Sequence, residues 1–177
     1  MKKKIHDKHF VPFLSEAQIQ DAVKRIGQQI NQDYKDASPL FIAILNGSFM
    51  FASDLFKHLE INAEISFIKL ASYKGTSSTG TVVTAIGLEA TLHNRDVVII
   101  EDIVDTGKTL SAFIPQILDH HPNSLKICSL LHKKEATVHP IKIDYLGFEI
   151  PDLFVVGYGL DYDGLGRNLH QIMQVEN

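Results

Sequence analysis

The sequence predicts an α/β fold, a mostly parallel central sheet flanked by helices, and three observations predict it. Two continuous apolar runs of strand length, Leu40–Leu45 and residues 97–100 (Val-Val-Ile-Ile), have the character of strands buried on both faces. Segments with apolar residues at helical spacing precede and separate them. Strands alternating with helices imply right-handed crossovers, and ligands of such sheets bind beyond the carboxyl ends of the strands.

The elements follow in order. Ser15 with Gln18 reads as a capping box, and Ile19, Val23, Ile26 and Ile30 then recur on one face of a first helix. Pro39 ends the polar stretch before the strand Leu40–Leu45, and Asn46-Gly47-Ser48 makes a turn. Residues 49–59 carry Phe51, Leu55, Phe56 and Leu59 at helical spacing, and residues 61–70 alternate as a strand should. Residues 72–81 lack periodicity and apolar anchors, which predicts a long polar loop of the kind that serves as a lid. Val82-Val83 returns to strand; 97–100 is a buried strand, followed by a turn and a helix over 109–120 closed by Pro122. Residues 124–131, 143–148 and 154–156 are further strands.

A chain of 177 residues fits one domain, 1–177, with no repeat or linker, and buries about two-thirds of its unfolded surface. With 45% hydrophobic and 21% charged residues, disorder and fibrous repeats are excluded. A net charge of −4 speaks against a nucleic-acid partner, so any anionic ligand must be held by a local site. The single cysteine, Cys128, rules out an intrachain disulfide, and its neighbours Ile127, Leu130 and Leu131 suit a buried thiol. No apolar run approaches the roughly 20 residues of a membrane helix, and Met1 to Lys4 leads into no apolar core of a signal peptide. A cytoplasmic protein with no membrane partner is expected.

The chemistry concentrates in residues 97–110. After the buried strand come Glu101, Asp102, Ile103, Val104, Asp105, Thr106, Gly107, Lys108, Thr109 and Leu110: an acidic pair, then a small-residue turn into a helix. Unpartnered backbone N–H groups at such a helix start, with its dipole, form a phosphate site. Gly107 allows close backbone approach, and Thr106 and Thr109 add hydroxyl donors. A P-loop is excluded because its first glycine would fall at Asp102, and neither Gly157-x-Gly159 nor Gly164-x-Gly166 completes a dinucleotide fingerprint. Two carboxylates beside a phosphate would repel it unless they bind sugar hydroxyls or a hard cation such as Mg²⁺. Each feature alone also fits a solvated turn or ordinary helix-start chemistry; together they imply a ligand of sugar, phosphate and metal.

Residues 97–110 resemble the phosphoribosyl-pyrophosphate motif of type I phosphoribosyltransferases: two acidic residues, then Asp-Thr-Gly-Lys-Thr. The blocks Ser129-Leu130-Leu131-His132-Lys133-Lys134, Gly147-Phe148-Glu149-Ile150-Pro151-Asp152, Phe154-Val155-Val156-Gly157-Tyr158-Gly159-Leu160-Asp161-Tyr162 and Arg167-Asn168-Leu169 resemble the hypoxanthine-guanine branch of that family. Ser72-Tyr73 and Ser78-Thr79-Gly80 match its loop pattern, and the likeness covers about residues 40–172. It implies the type I phosphoribosyltransferase fold, with a small hood formed by terminal segments.

The resemblance further implies purine salvage, with Mg²⁺-dependent transfer of the 5-phosphoribosyl group from 5-phosphoribosyl-1-pyrophosphate to hypoxanthine or guanine. In that scheme Asp105 is the catalytic acid/base near purine N7, and Thr106, Gly107, Lys108 and Thr109 hold the 5′-phosphate. Glu101 and Asp102 hold ribose hydroxyls directly or through Mg²⁺, and Asp161 binds a second metal at the purine and pyrophosphate side. Lys133 donates to the 6-oxo group, Phe154 stacks on the ring, and the Val155 backbone reads its edge. Asn46, Gly47, Ser72, Tyr73 and Arg167 serve the pyrophosphate and the closing loop. A homodimer or homotetramer is implied. Without the resemblance, Phe154 in an apolar strand reads as core, and Lys133 in a Lys-Lys pair reads as solvated loop.

One departure stands out: family members commonly have Leu-Lys-Gly where this chain has Leu45-Asn46-Gly47, which removes a cation from the pyrophosphate loop. The nine histidines show no recognised metal spacing. Two other readings stay open: a related enzyme acting on xanthine or a pyrimidine, and a nucleic-acid-binding regulator that senses the sugar donor.

Overall fold

The structure, a computed structural model, describes residues 2–72, 82–86 and 90–176. The lid expected over 72–81 lies outside the described residues from Tyr73 onward.

The chain enters through two short strands, β1 (Lys3–Ile5) and β2 (Lys8–Leu14), before the helix α1 (Glu16–Asp33). The capping box forms: Gln18 N–H donates to Ser15 Oγ at 3.3 Å, and Gln18 Oε1 accepts from Ser15 N–H at 3.0 Å. Ile19, Val23, Ile26 and Ile30 are fully buried, and each such side chain contributes roughly 1.5–3 kcal/mol relative to exposure.

Next come β3 (Leu40–Leu45), α2 (Phe49–Phe56), β4 (Glu64–Ser72), β5 (Val82–Ile86), β6 (Asp96–Val104), α3 (Lys108–Leu118), β7 (Ser124–His132), β8 (Tyr145–Glu149), β9 (Val155–Val156) and β10 (Ile172–Val175). The main sheet has the order β5-β4-β3-β6-β7-β8, with β5 antiparallel and all other neighbours parallel. Alternate residues of the central strands feed two cores. Phe41, Ala43, Val98 and Ile100 pack with α1 and α2, while Leu40, Ile42, Val97 and Ile99 pack with Leu110, Phe113 and Ile117 of α3. That two-sided burial is why β3 and β6 read as unbroken apolar runs. Cys128 is fully buried, and burial pushes its thiol pKa up.

Several boundaries differ from the sequence reading. Strand β6 runs four residues past Ile100, because Glu101 to Val104 go on pairing with Ser129 to His132 of β7. Helix α3 stops at Leu118, before Pro122, and carries Pro115 inside. Helix α2 stops at Phe56, and β4 begins at Glu64. Strands β1, β2 and β10 have no counterpart in the pattern reading. With β9 they form a second antiparallel sheet of order β1-β2-β10-β9, the hood that the family resemblance implied. Pro12 disguises β2 as a non-strand; it sits opposite Met173, where the register of β2 and β10 shifts, a place where a missing N–H is tolerated.

Candidate functional site

Strands β3 and β6 pair from Leu40 and Val97 as far as Ala43 and Ile100; beyond that point β6 pairs only with β7. The sheet order reverses direction at this junction, and in such sheets ligands bind at the carboxyl ends of the strands at that point. The turn after β3 fills its wall. A Cβ built on Gly47 would lie 1.7 Å from Asp102 Oδ2, so only glycine lets that turn approach the carboxylate. Gly159 in turn presses on Gly47: its Cβ would lie 2.0 Å from Gly47 O, and its φ is +102°. Arg167 closes the chain of contacts, donating to Gly159 O at 2.6 Å and pairing with Asp161 Oδ1 at 2.6 Å.

The acidic pair is not a solvated turn. Asp102 is 9% exposed. Glu101 is half-buried as a residue, but its Oε2 is out of solvent with no hydrogen-bond partner. Burial, then the charge of Asp102, pushes the Glu101 carboxyl well above its usual range. Burial also raises Asp102, against hydrogen bonds that favour its charged form and the opposing charge of Arg167. An acceptor oxygen held dry without a donor is a place where a hydroxyl or a cation is expected.

The turn after β6 is a tight glycine turn into the start of α3. Gly107, with φ +78°, is the N-cap of α3, and a Cβ there would meet His139 O at 2.2 Å. Thr106 O accepts from Val138 N–H and His139 N–H at 3.1 and 2.9 Å, which docks the turn on the 137–139 segment. Glu101, Asp105, Thr106, Gly107, Lys108 and Thr109 line one small concavity.

A second concavity, of about 260 Å³, is lined by Asp102, Asp105, Lys133, Phe154, Leu160 and Asp161, with Val155 and Ile103. The two share Asp105 and Ile103 in their linings. Exposure here is inverted from what residue type suggests. Phe154 is 42% exposed, whereas Lys133 is 7% exposed. Phe154 is therefore not core, and Lys133 is not a solvated loop residue. The Phe154 ring is held edge-on by Tyr162 at 5.5 Å. Lys133 Nζ donates to Asp105 Oδ2 at 3.0 Å and to Asp152 Oδ1 at 3.1 Å. Burial lowers the Lys133 pKa, but the two carboxylates outweigh it and the net shift is upward.

The residues singled out in the sequence thus fall into three groups. Glu101, Asp102, Asp105, Thr106, Gly107, Lys108, Thr109, Lys133, Phe154, Val155 and Asp161 line the paired concavities, with Glu101 in the first and Asp102 in the second. Gly47 and Arg167 join them through Asp102, Gly159 and Asp161, and Asn46 stands exposed in the same turn. Ser72 is the last residue of β4, and Tyr73 lies outside the described residues. Among the described residues no three His, Cys, Asp or Glu side chains converge as a metal cage. Sequence reasoning missed Asp152, Ile103 and Leu160 as site residues; Asp152 had no signal beyond its place in the Pro151-Asp152 block.

Residues 14–163 match the family model described as the phosphoribosyl transferase domain. The hypoxanthine-guanine phosphoribosyltransferase of Bacillus subtilis is 42% identical over 160 residues, covering 90% of this chain and 89% of that one. That of Staphylococcus epidermidis is 45% identical with the same coverage. The crystal structure of a hypoxanthine-guanine phosphoribosyltransferase from Bacillus anthracis superposes with a TM-score of 0.89 at 38% identity, covering 94% of this chain and 98% of that one. A hypoxanthine phosphoribosyltransferase from Staphylococcus aureus gives 0.89 at 41%, covering 94% and 91%.

Proposed function

The chain belongs to the phosphoribosyltransferase family, and within it we propose an enzyme of purine salvage that joins hypoxanthine or guanine to the ribosyl phosphate of 5-phosphoribosyl-1-pyrophosphate. The observation that carries the choice of acceptor is the inverted exposure of Lys133 and Phe154. A buried ammonium beside an exposed ring, next to a phosphate cradle, suits a flat heterocycle with a carbonyl on its edge. A 6-aminopurine would present donors to a donor.

In this reading the 5′-phosphate sits on the N–H groups of Thr106 to Thr109, and the base lies on Phe154 with its 6-oxo group toward Lys133 and its edge along the Val155 backbone. The bond from the anomeric carbon to pyrophosphate breaks and the bond to the purine nitrogen forms. Asp105, at the junction of the two concavities, takes the proton displaced from the imidazole ring or holds it at N7. Arg167 and the Gly47 turn face the departing pyrophosphate, while the lid expected around Ser72 and Tyr73 lies outside the described residues from Tyr73 onward.

Mg²⁺ fits the donor set. Glu101 Oε2 is an orphaned dry acceptor, and Mg²⁺ commonly uses one or two carboxylates with substrate phosphates in place of a protein cage. Glu101 and Asp102 would hold one ion with the ribose hydroxyls, and Asp161 a second. When bound, the metal neutralises charge on the leaving pyrophosphate. A cytoplasmic homodimer or homotetramer completes the proposal; no helix among the described residues is long and apolar enough to cross a membrane.

The test is a spectrophotometric assay of hypoxanthine, guanine, xanthine and adenine with the sugar donor, with and without Mg²⁺. Nucleotide from hypoxanthine or guanine, dependent on Mg²⁺, is the expected result. No product from any 6-oxopurine would overturn the reading, and salt-sensitive RNA binding in its place would indicate a regulator.

A further inference from the structure

We infer that Asp152 is a positioning residue for the purine: it shares the Lys133 ammonium with Asp105 and holds it in place while leaving it free to donate to the base. The inference rests on the proposed role of Lys133 as the reader of the 6-oxo group.

A lysine ammonium has three N–H groups and no acceptor. Two are engaged, by Asp105 Oδ2 at 3.0 Å and Asp152 Oδ1 at 3.1 Å. The third is left for the concavity lined by Phe154, Leu160 and Asp161. The two partners differ in their duties. Asp105 sits at the junction with the phosphate cradle, and in the proposed reaction its carboxylate must turn to the imidazole side of the base. Asp152 lines neither concavity, so it has no competing task when the base arrives. A lysine with a side chain only 9% exposed is then left with one counter-ion, and that counter-ion is Asp152.

The fold holds Asp152 for this purpose. Lys133 N–H donates to Val104 O at 2.9 Å, fixing the backbone behind the carboxyl end of β6. Ile150 N–H donates to His132 O at 2.9 Å, which ties the end of β8 to the residue before Lys133. Leu153 N–H donates to Pro151 O at 2.8 Å, a tight turn whose central residue is Asp152. The backbones carrying the two charges are thus anchored one beside the other. The Asp152 side chain is 65% exposed, so the contact acts by aiming the ammonium and not by stabilising the fold. Its long-lived value lies in pre-organisation, since a lysine side chain otherwise samples many rotamers.

The experiment is a double-mutant cycle read in hypoxanthine kinetics: the unsubstituted enzyme, Asp152→Asn, Lys133→Gln and the double variant, with Asp152→Glu as the conservative control. Asp152→Asn is expected to raise the KM for hypoxanthine about five- to tenfold, with kcat and the KM for the sugar donor within about twofold, and Asp152→Glu to restore most of the loss. In the Lys133→Gln background the Asp152→Asn change is expected to add nothing. Equal melting temperatures of Asp152→Asn and the unsubstituted enzyme separate positioning from a folding effect. An unchanged KM in Asp152→Asn, or losses that multiply in the double variant, would overturn the inference while leaving the reading of Lys133 intact. Unaltered hypoxanthine kinetics in Lys133→Gln would remove both.

Discussion

Lys133 Nζ lies 3.0 Å from Asp105 Oδ2, so the proposed base-reading cation and the proposed acid/base of the reaction are ion-paired with each other. A purine must insert its carbonyl and its imidazole edge into that pair. Asp105→Asn keeps the shape and removes the carboxylate. Turnover is expected to fall by about 10²–10⁴, the range typical of a lost general acid or base, with the sugar-donor KM changed only a few fold. Steady-state kinetics check it, and an unchanged turnover number would remove Asp105 from the chemistry.

Glu101 is where stability and activity should oppose each other. Burial first, and then Asp102, raises its carboxyl above the usual 4.5. For an acid raised in this way the folded protein keeps the proton that the unfolded chain has released, so stability falls as pH climbs from the unfolded value through the folded one. Glu101→Gln abolishes that slope. The variant is expected to melt about 3–6 °C higher than the unsubstituted protein near neutral pH, with the difference closing at about pH 4. Use of the sugar donor is expected to fall at the same time. Calorimetry across that pH range decides it; a lower melting temperature at neutral pH would show that the carboxylate is already compensated.

Gly159 packs on the turn after β3, which the proposed function places on the pyrophosphate side. A methyl group there would meet Gly47 O at 2.0 Å from a backbone with φ +102°, a conformation that disfavours any side chain. Gly159→Ala is expected to destabilise the protein by about 2–3 kcal/mol and to weaken donor binding by displacing Gly47 from Asp102. Urea denaturation and the donor KM measure the two effects. By contrast Gly164, also at positive φ but with open space around it, is expected to tolerate alanine with a smaller loss.

Asn46 is exposed in that same turn, at the position where the family resemblance implies a lysine. Asn46→Lys restores a cation facing the proposed pyrophosphate site. A solvent-exposed charge of this kind contributes up to about 1 kcal/mol, so the donor KM and the inhibition constant of pyrophosphate are expected to drop about two- to fivefold. The gain should fade at high ionic strength. Product-inhibition kinetics at two salt concentrations test it, and no change would place the residue out of reach of the ligand.

Local patterns determined a good deal by themselves. The capping box at Ser15, the helical stripe from Ile19 to Ile30 and the apolar runs of β3 and β6 were legible because each reports burial through near neighbours in the chain. The glycine turn into α3 was legible for the same reason: Asp105 to Thr109 is one continuous piece of backbone. What the tertiary structure decided depends on residues far apart in sequence. The hood brings β2 against β10, more than 150 residues later, and Pro12 hides the strand from any local reading. Whether Phe154 is core and Lys133 is solvated could not be read from apolar or charged character, because each is set by what the fold stacks around it. Asp152 had no signal beyond its place in the Pro151-Asp152 block; its contact with Lys133 comes from β8 ending beside β7. The first concavity is thus written in one segment, residues 101–110, while the second exists only after the sheet has brought its strands together.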